Sequence, residues 1–187
     1  MQLGDVQNRV RIALTTTLIN EWSLFAPSTG TSHPTERSIA FHLGWNLRPL
    51  IDESWDVDCD YQRSGMELES SMTFGEGIYR APDLIVHRRG RIGPEDNLLL
   101  MVVSADFASS EGRTPTMEQV NAVQMRFGYR FAVWIDLQLR EDGPEGRVRP
   151  VWQWSTLEEG PERQAHPVYA SRELKSITES IRMMFLG

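Results

Sequence analysis

Apolar residues near the start of the chain recur at helical spacing. Leu3, Val6, Val10, Ala13, Leu14 and Leu18 share one stripe with Thr17, which predicts a helix within residues 3–25. Residues 27–34 combine Pro, Ser, Thr and Gly and read as a loop. Thr35 is then a candidate N-cap for a helix from Glu36 to about Leu47, with Ile39, Ala40, Leu43 and Leu47 at steps of three and four. Pro49 ends it or follows its end.

The period then changes from helical to strand-like. From Trp55 to Tyr61 apolar and acidic residues alternate, placing Trp55, Val57, Cys59 and Tyr61 on one face and Asp56, Asp58 and Asp60 on the other. Residues 62–77 are polar and contain glycine, as in a long hairpin or flap. Residues 82–87 contain Leu84-Ile85-Val86, residues 90–96 form a turn, and the unbroken apolar run from Leu98 to Val103 suits a strand covered on both faces. After a loop at 107–115, Thr116 with Gln119 forms a capping box. The helix behind it carries Met117, Val120, Val123 and Phe127 on one side and ends at Gly128. Tyr129 to Leu139 alternates again, Val148 to Trp154 is a further strand, and Leu174, Ile177, Ile181 and Phe185 give a closing amphipathic helix. The order helix, helix, three strands, helix, two strands, helix predicts an α/β fold with a mixed β-sheet flanked by helices.

A length of 187 residues suits a single domain able to bury its own core. The expected core spans about 36–139, with terminal additions at 1–34 and 147–187. No apolar run reaches a membrane-spanning length, no basic head precedes an apolar block, and the single cysteine, Cys59, excludes an intrachain disulfide. These features predict a cytoplasmic protein with no membrane partner. The net charge of −7 argues against nucleic-acid binding by the whole surface and favours a protein partner, although a local basic patch is compatible with it. Nineteen residues are Lys or Arg, yet Lys175 is the one lysine, so any mechanism that needs a lysine has a single candidate.

Several segments in order resemble one superfamily. The run from Glu36 to Leu43 is similar to the first core helix of restriction-endonuclease-like (PD-(D/E)xK) proteins. Val57-Asp58-Cys59-Asp60-Tyr61-Gln62-Arg63 resembles their first core strand. Arg80-Ala81-Pro82-Asp83, continuing to Gly90, resembles the Pro-Asp element, and Asn97 to Ser104 resembles the strand that follows it. Tyr129-Arg130-Phe131-Ala132 resembles the opening of the fourth. The resemblance implies an αβββαβ core with extra N- and C-terminal helices. It also implies a site in which an Asp on one strand and a Glu on the next bind Mg²⁺ through hard oxygens, with a Lys two residues beyond the Glu on the same strand face. That lysine would stabilise charge developing on the scissile phosphate.

Position by position, Asp83 matches the metal-binding Asp and Glu36 matches an acid of the first helix. Val102 stands in place of the second acid and Ser104 in place of the lysine. The resemblance therefore implies a pseudonuclease: a structural or regulatory subunit that binds a protein partner, a second copy of itself or nucleic acid, in a bacterial defence or DNA-processing context, with no cofactor. The alternative is an atypical Mg²⁺-dependent nuclease using Glu36, Asp60 and Asp83 as ligands, with Arg88 or an arginine of another subunit supplying the charge. Asp106 would lie about 13 Å beyond Val102, too far to replace it. Asp58, Glu118 and Gln119 are other groups available for rebuilding such a site.

Plainer readings stand beside these. Glu36 suits the positive end of its helix without any further role. Asp56, Asp58 and Asp60 read as a solvated strand face, His87 as a surface histidine, and Cys59 as a small buried hydrophobe. His33, His42 and His166 have no metal-ligand spacing with one another or with Cys59. Arg88, Arg89 and Arg91, together with Arg80, form either a phosphate-binding groove or a solvated turn. Trp152 and Trp154 are placed on one strand face, for stacking or for core packing.

Overall fold

The computed structural model describes residues 1–25, 34–61, 82–91, 93–106, 115–140, 147–157, 160–165 and 169–170. The expected closing helix at 173–185, the flap at 62–77, Arg80, His33, His166 and nearly all of the 27–34 and 107–115 loops lie outside them. Among the described residues no helix is long and apolar enough to cross a membrane.

The chain is α/β, with helices on both faces of a mixed sheet. Helix α1 (Leu3–Asn20) leads through a short 3-10 turn, and α2 (Glu36–Leu47) follows. The strands are β1 (Asp56–Cys59), β2 (Leu84–His87), β3 (Asn97–Ala105), β4 (Phe131–Arg140), β5 (Arg147–Thr156), β6 (Gly160–Ala165) and β7 (Tyr169–Ala170), with α3 (Met117–Phe127) between β3 and β4. The strand order is β1-β2-β3-β4-β5-β6. β3 and β4 are parallel and every other pairing is antiparallel. Because β4 takes one whole edge of β5, β6 and β7 share the other.

Each expected cap forms. The Thr35 hydroxyl accepts the Ser38 N–H at 3.1 Å, and Thr116 and Gln119 close a reciprocal capping box. Gly128 ends α3 at φ 69°, a left-handed conformation that a side chain would strain. Gln124, fully buried on α3, donates to the carbonyls of Tyr129 and Ser155 and ties the end of that helix to the β4–β5 side of the sheet.

All nine residues of β3 are buried, as its apolar run predicts. Alternate side chains serve opposite faces. Leu99, Met101 and Val103 join α1 and α2 in the larger core, while Leu100 and Val102 meet Val120 and Val123 of α3 in the smaller one. The α2 helix runs close to the sheet at Gly44, where an added methyl would come within 2.8 Å of Cys59 Sγ and 2.9 Å of a Leu84 methyl.

Two sequence expectations differ from the fold, and one strand has no counterpart among them. Tyr129 joins the α3-side core while Phe131, Val133, Ile135 and Leu137 line the other, because Tyr129 precedes β4 and the chain bends at Arg130. Tyr61 also packs on the α3 side rather than with Val57, because β1 stops at Cys59 and Asp60 takes a positive φ of 50°, which breaks the alternation. β6 has no apolar alternation in Gly-Pro-Glu-Arg-Gln-Ala and was not expected as a strand. It pairs through its backbone along the edge of β5, and edge strands tolerate such sequences.

Candidate functional site

The positions matched to a nuclease site meet where β3 outruns β2. β2 pairs with β3 only as far as Leu84 opposite Met101, while β3 continues to Ala105. The Asp106 N–H is directed to the Leu137 carbonyl on β4. Backbone donors alternate along a strand, so the N–H groups of Val103 and Ala105 face the side that β2 has vacated. Two carboxylates take them. Asp83 Oδ2 accepts the Val103 N–H at 2.7 Å, and Glu36 Oε1 accepts the Ala105 N–H at 3.2 Å. Both acids are buried, at 5% and 3% exposure. Asp83 reaches its amide from the residue before β2, and Glu36 from the first turn of α2. A buried N–H without an acceptor is costly, so each carboxylate has a structural task at this edge.

The β3 positions themselves carry no metal-binding or cationic chemistry. Val102 is fully buried against Ile85 and α3. The Ser104 hydroxyl donates to Asp136 Oδ1 at 2.9 Å, across the parallel pairing that sets these residues side by side. Gln138 Nε2 donates to the other Asp136 oxygen at 2.8 Å.

Asp60, the third expected ligand, is turned elsewhere. Its N–H donates to the Asp83 carbonyl at 3.1 Å, but its exposed carboxylate lies 3.9 Å from Arg37 on α2. Asp106 and Glu118 are exposed, and Gln119 is occupied in the α3 capping box. Among the described residues no group of three or more His, Cys, Asp or Glu side chains is placed to hold a metal ion. Glu36 and Asp83 thus belong to no such group among the described residues.

The basic run is engaged by carboxylates. Arg88 lies over the Trp55 ring, 4.4 Å from its centroid, and reaches Asp96 at 3.2 Å; Arg91 lies 3.8 Å from Asp96. Arg89 donates through Nε to Asp58 Oδ2 at 2.7 Å and through a second nitrogen to Asp58 Oδ1, a bidentate pair, while its backbone N–H goes to Asp56. This arrangement is a braced turn, with its charge partly compensated before any phosphate arrives.

His87 and Asp58 depart from their surface readings. His87 is 1% exposed, its Nε2 lies 2.8 Å from Asp58 Oδ2, and the Tyr61 ring meets it edge-on at 4.8 Å. Burial pushes the Asp58 carboxyl up, but hydrogen bonds from Arg89 and His87 outweigh it and hold the group below the usual carboxylate range. Asp58 also holds the Arg89 guanidinium up in its charged form. The sequence signals for this cluster are the Asp alternation of β1 and the arginine run that follows β2, but neither gives a pairing register. Cys59 is exposed as a residue, yet its sulfur turns toward α2, 3.6 Å from the Ala40 carbonyl. Burial of that thiol, with the neighbouring Asp58, pushes its pKa up to about 11, so it is not a ready nucleophile. Trp152 and Trp154 are core residues, stacked at 6.2 Å between centroids and almost fully buried.

In comparisons with known protein families, curated proteins and solved structures, nothing matches this chain.

Proposed function

We propose that the chain is a degenerate restriction-endonuclease-like domain that binds rather than cuts. In this reading it is a structural or regulatory subunit for a protein partner, a second copy or a nucleic acid, in a bacterial defence or DNA-processing system. Support for the core comes from the succession α2, β1, β2, β3, α3, β4 and from Asp83 standing beside β3 at the level of Val102. One observation carries the loss of cutting. The two retained acids are hydrogen-bonded to the backbone of the strand that should supply the rest of the site, while that strand offers Val102 and Ser104.

The alternative, an atypical Mg²⁺-dependent nuclease, draws on the same convergence. Glu36 and Asp83 reach amides only two residues apart on one strand. A partner's carboxylate and arginine would then have to complete the site.

The deciding experiment is cleavage of supercoiled DNA, single-stranded DNA and RNA with Mg²⁺ or Mn²⁺, run beside Asp83→Ala. The binding reading expects no cleavage by either protein. Cleavage that disappears in Asp83→Ala overturns it.

A further inference from the structure

β1 is the terminal strand of the sheet and pairs with β2 alone among the described strands. The Asp60 N–H is directed to the Asp83 carbonyl, just before β2. Backbone groups alternate along a strand, so those of Asp56 and Asp58 also face β2, and the N–H and C=O of Val57 and Cys59 point away from the sheet. Such an edge is a template for one more strand.

Exposed rings overhang the same edge. α2 crosses above Cys59, with the Ala40 carbonyl 3.6 Å from its sulfur. One flank of α2 meets α1, where Asn46 Nδ2 donates to the Thr17 hydroxyl at 3.0 Å. The opposite flank carries Arg37, 3.9 Å from Asp60 just past the end of β1, and Phe41 and Trp45 follow it at four-residue steps. Phe41 is 54% and Trp45 71% exposed, and their rings lie 6.4 Å apart between centroids. A strand added beyond β1 would run beneath this flank.

The edge is acidic. Residues 52–60 include Asp52, Glu53, Asp56, Asp58 and Asp60. Asp56 and Asp58 share a single arginine, Arg89, and Asp52 and Glu53 are exposed. This charge chooses between occupants. Two β1 strands paired with their α2 layers on one side would set the Asp56–Asp58 face of one copy against the same face of the other, and like charges directly opposite are destabilising. A strand with basic residues on that face gains where a second copy loses.

We infer that the β1 edge takes an extended, basic segment of a partner protein as an added strand, with basic side chains on the Asp56 face and apolar side chains on the face of Val57 and Phe41. The backbone selects the class of partner. A row of outward N–H and C=O groups is matched by another extended polypeptide, whose main chain supplies affinity and whose alternate side chains supply specificity. A nucleic acid has no such row to offer. The inference names the kind of partner for the binding role proposed above and rests on it. Attraction between exposed charges makes the affinity fall as salt rises.

The test is fluorescence anisotropy of a short fluorescein-labelled peptide alternating lysine and valine, titrated with the full chain in EDTA at low salt. Two controls run beside it: the same peptide N-methylated throughout, which keeps the charge and loses the backbone donors, and a peptide alternating glutamate and valine. EDTA removes the divalent ions, so this assay is independent of the cleavage experiment, and either result can fail alone. The inference expects binding of the unmodified basic peptide over both controls, weakened roughly two- to fivefold by Phe41→Ala and also by Asp56→Lys. Phe41 is exposed, so circular dichroism should show Phe41→Ala folded even where Asp56→Lys disturbs the Arg89 turn. Absence of binding overturns the inference, as does equal binding of the N-methylated peptide, which would leave charge alone as the cause. So does a chain that ignores the peptide but self-associates in sedimentation until Phe41→Ala makes it monomeric, which would make a second copy the occupant.

Discussion

Asp83 and Val103 are joined by a hydrogen bond of 2.7 Å from the Val103 N–H to Asp83 Oδ2, on the edge of β3 that lies beyond its pairing with β2. Two residues along β3, Glu36 does the same for Ala105 at 3.2 Å. The two carboxylates thereby extend the sheet edge after β2 has ended, and α2 is anchored to β3 by the Glu36 contact.

Removing these acids should therefore destabilise the fold. Carboxylates gathered for an absent metal repel one another, and neutralising one would relieve strain. Carboxylates that satisfy buried amides leave an orphan donor when truncated. Asp83→Ala and Glu36→Ala are each expected to lose about 1–3 kcal/mol. Asp83→Asn and Glu36→Gln keep a carbonyl acceptor and should lose less. Urea unfolding measures all four, and a gain in stability on neutralisation would contradict the structural role.

Placing an acid at Val102 should also fail. Val102 is fully buried among apolar neighbours, between Ile85 and the α3 residues Val120 and Val123. A glutamate there would bury a charge without a cation to meet it. Val102→Glu is expected to cost on the order of 3 kcal/mol or more and to yield no cleavage with Mg²⁺, even when combined with Ser104→Lys. A folded, cutting double variant would show that the site lacks only these two residues.

The fold was legible wherever periodicity and caps carried it. The stripe of α1, the Thr35 and Thr116 caps, and the apolar β3 run each correspond to an element, because burial on one face or on both dictates those patterns. Pattern alone fails where a backbone turn changes the face. The positive φ of Asp60 sends Tyr61 to the His87 side, and β6 is held by backbone pairing that its polar sequence does not announce. For the candidate site, the sequence placed Glu36 and Asp83 near β3 but could not show what they hold. That depends on β2 ending two residues before Val103, a difference in strand length set by tertiary pairing. For the same reason Asp58 read as solvated, although His87 and Arg89 close over it only once β1 and β2 are in register.

The Asp58 cluster gives a pH-dependent signature. Asp58 accepts from His87 Nε2 at 2.8 Å and from Arg89 in bidentate fashion, and its carboxyl is held below the usual range in the fold. The unfolded chain therefore takes up a proton on this group at higher pH than the folded chain does. Its contribution to stability is present above the unfolded carboxylate pKa, about 4, and is lost as pH falls through the lower folded value. Asp58→Asn puts an amide N–H₂ against one of these donors and should cost about 1–2 kcal/mol at pH 7, tempered by the exposure of Arg89. The gap between the two proteins should then narrow steadily as the pH is lowered below about 4, because protonated Asp58 already lacks the charge that the variant lacks. Thermal or urea unfolding of both proteins from pH 7 down to the acid limit reads this directly. A gap that stays constant across that range would mean that Asp58 stabilises the β1–β2 edge by shape rather than by charge.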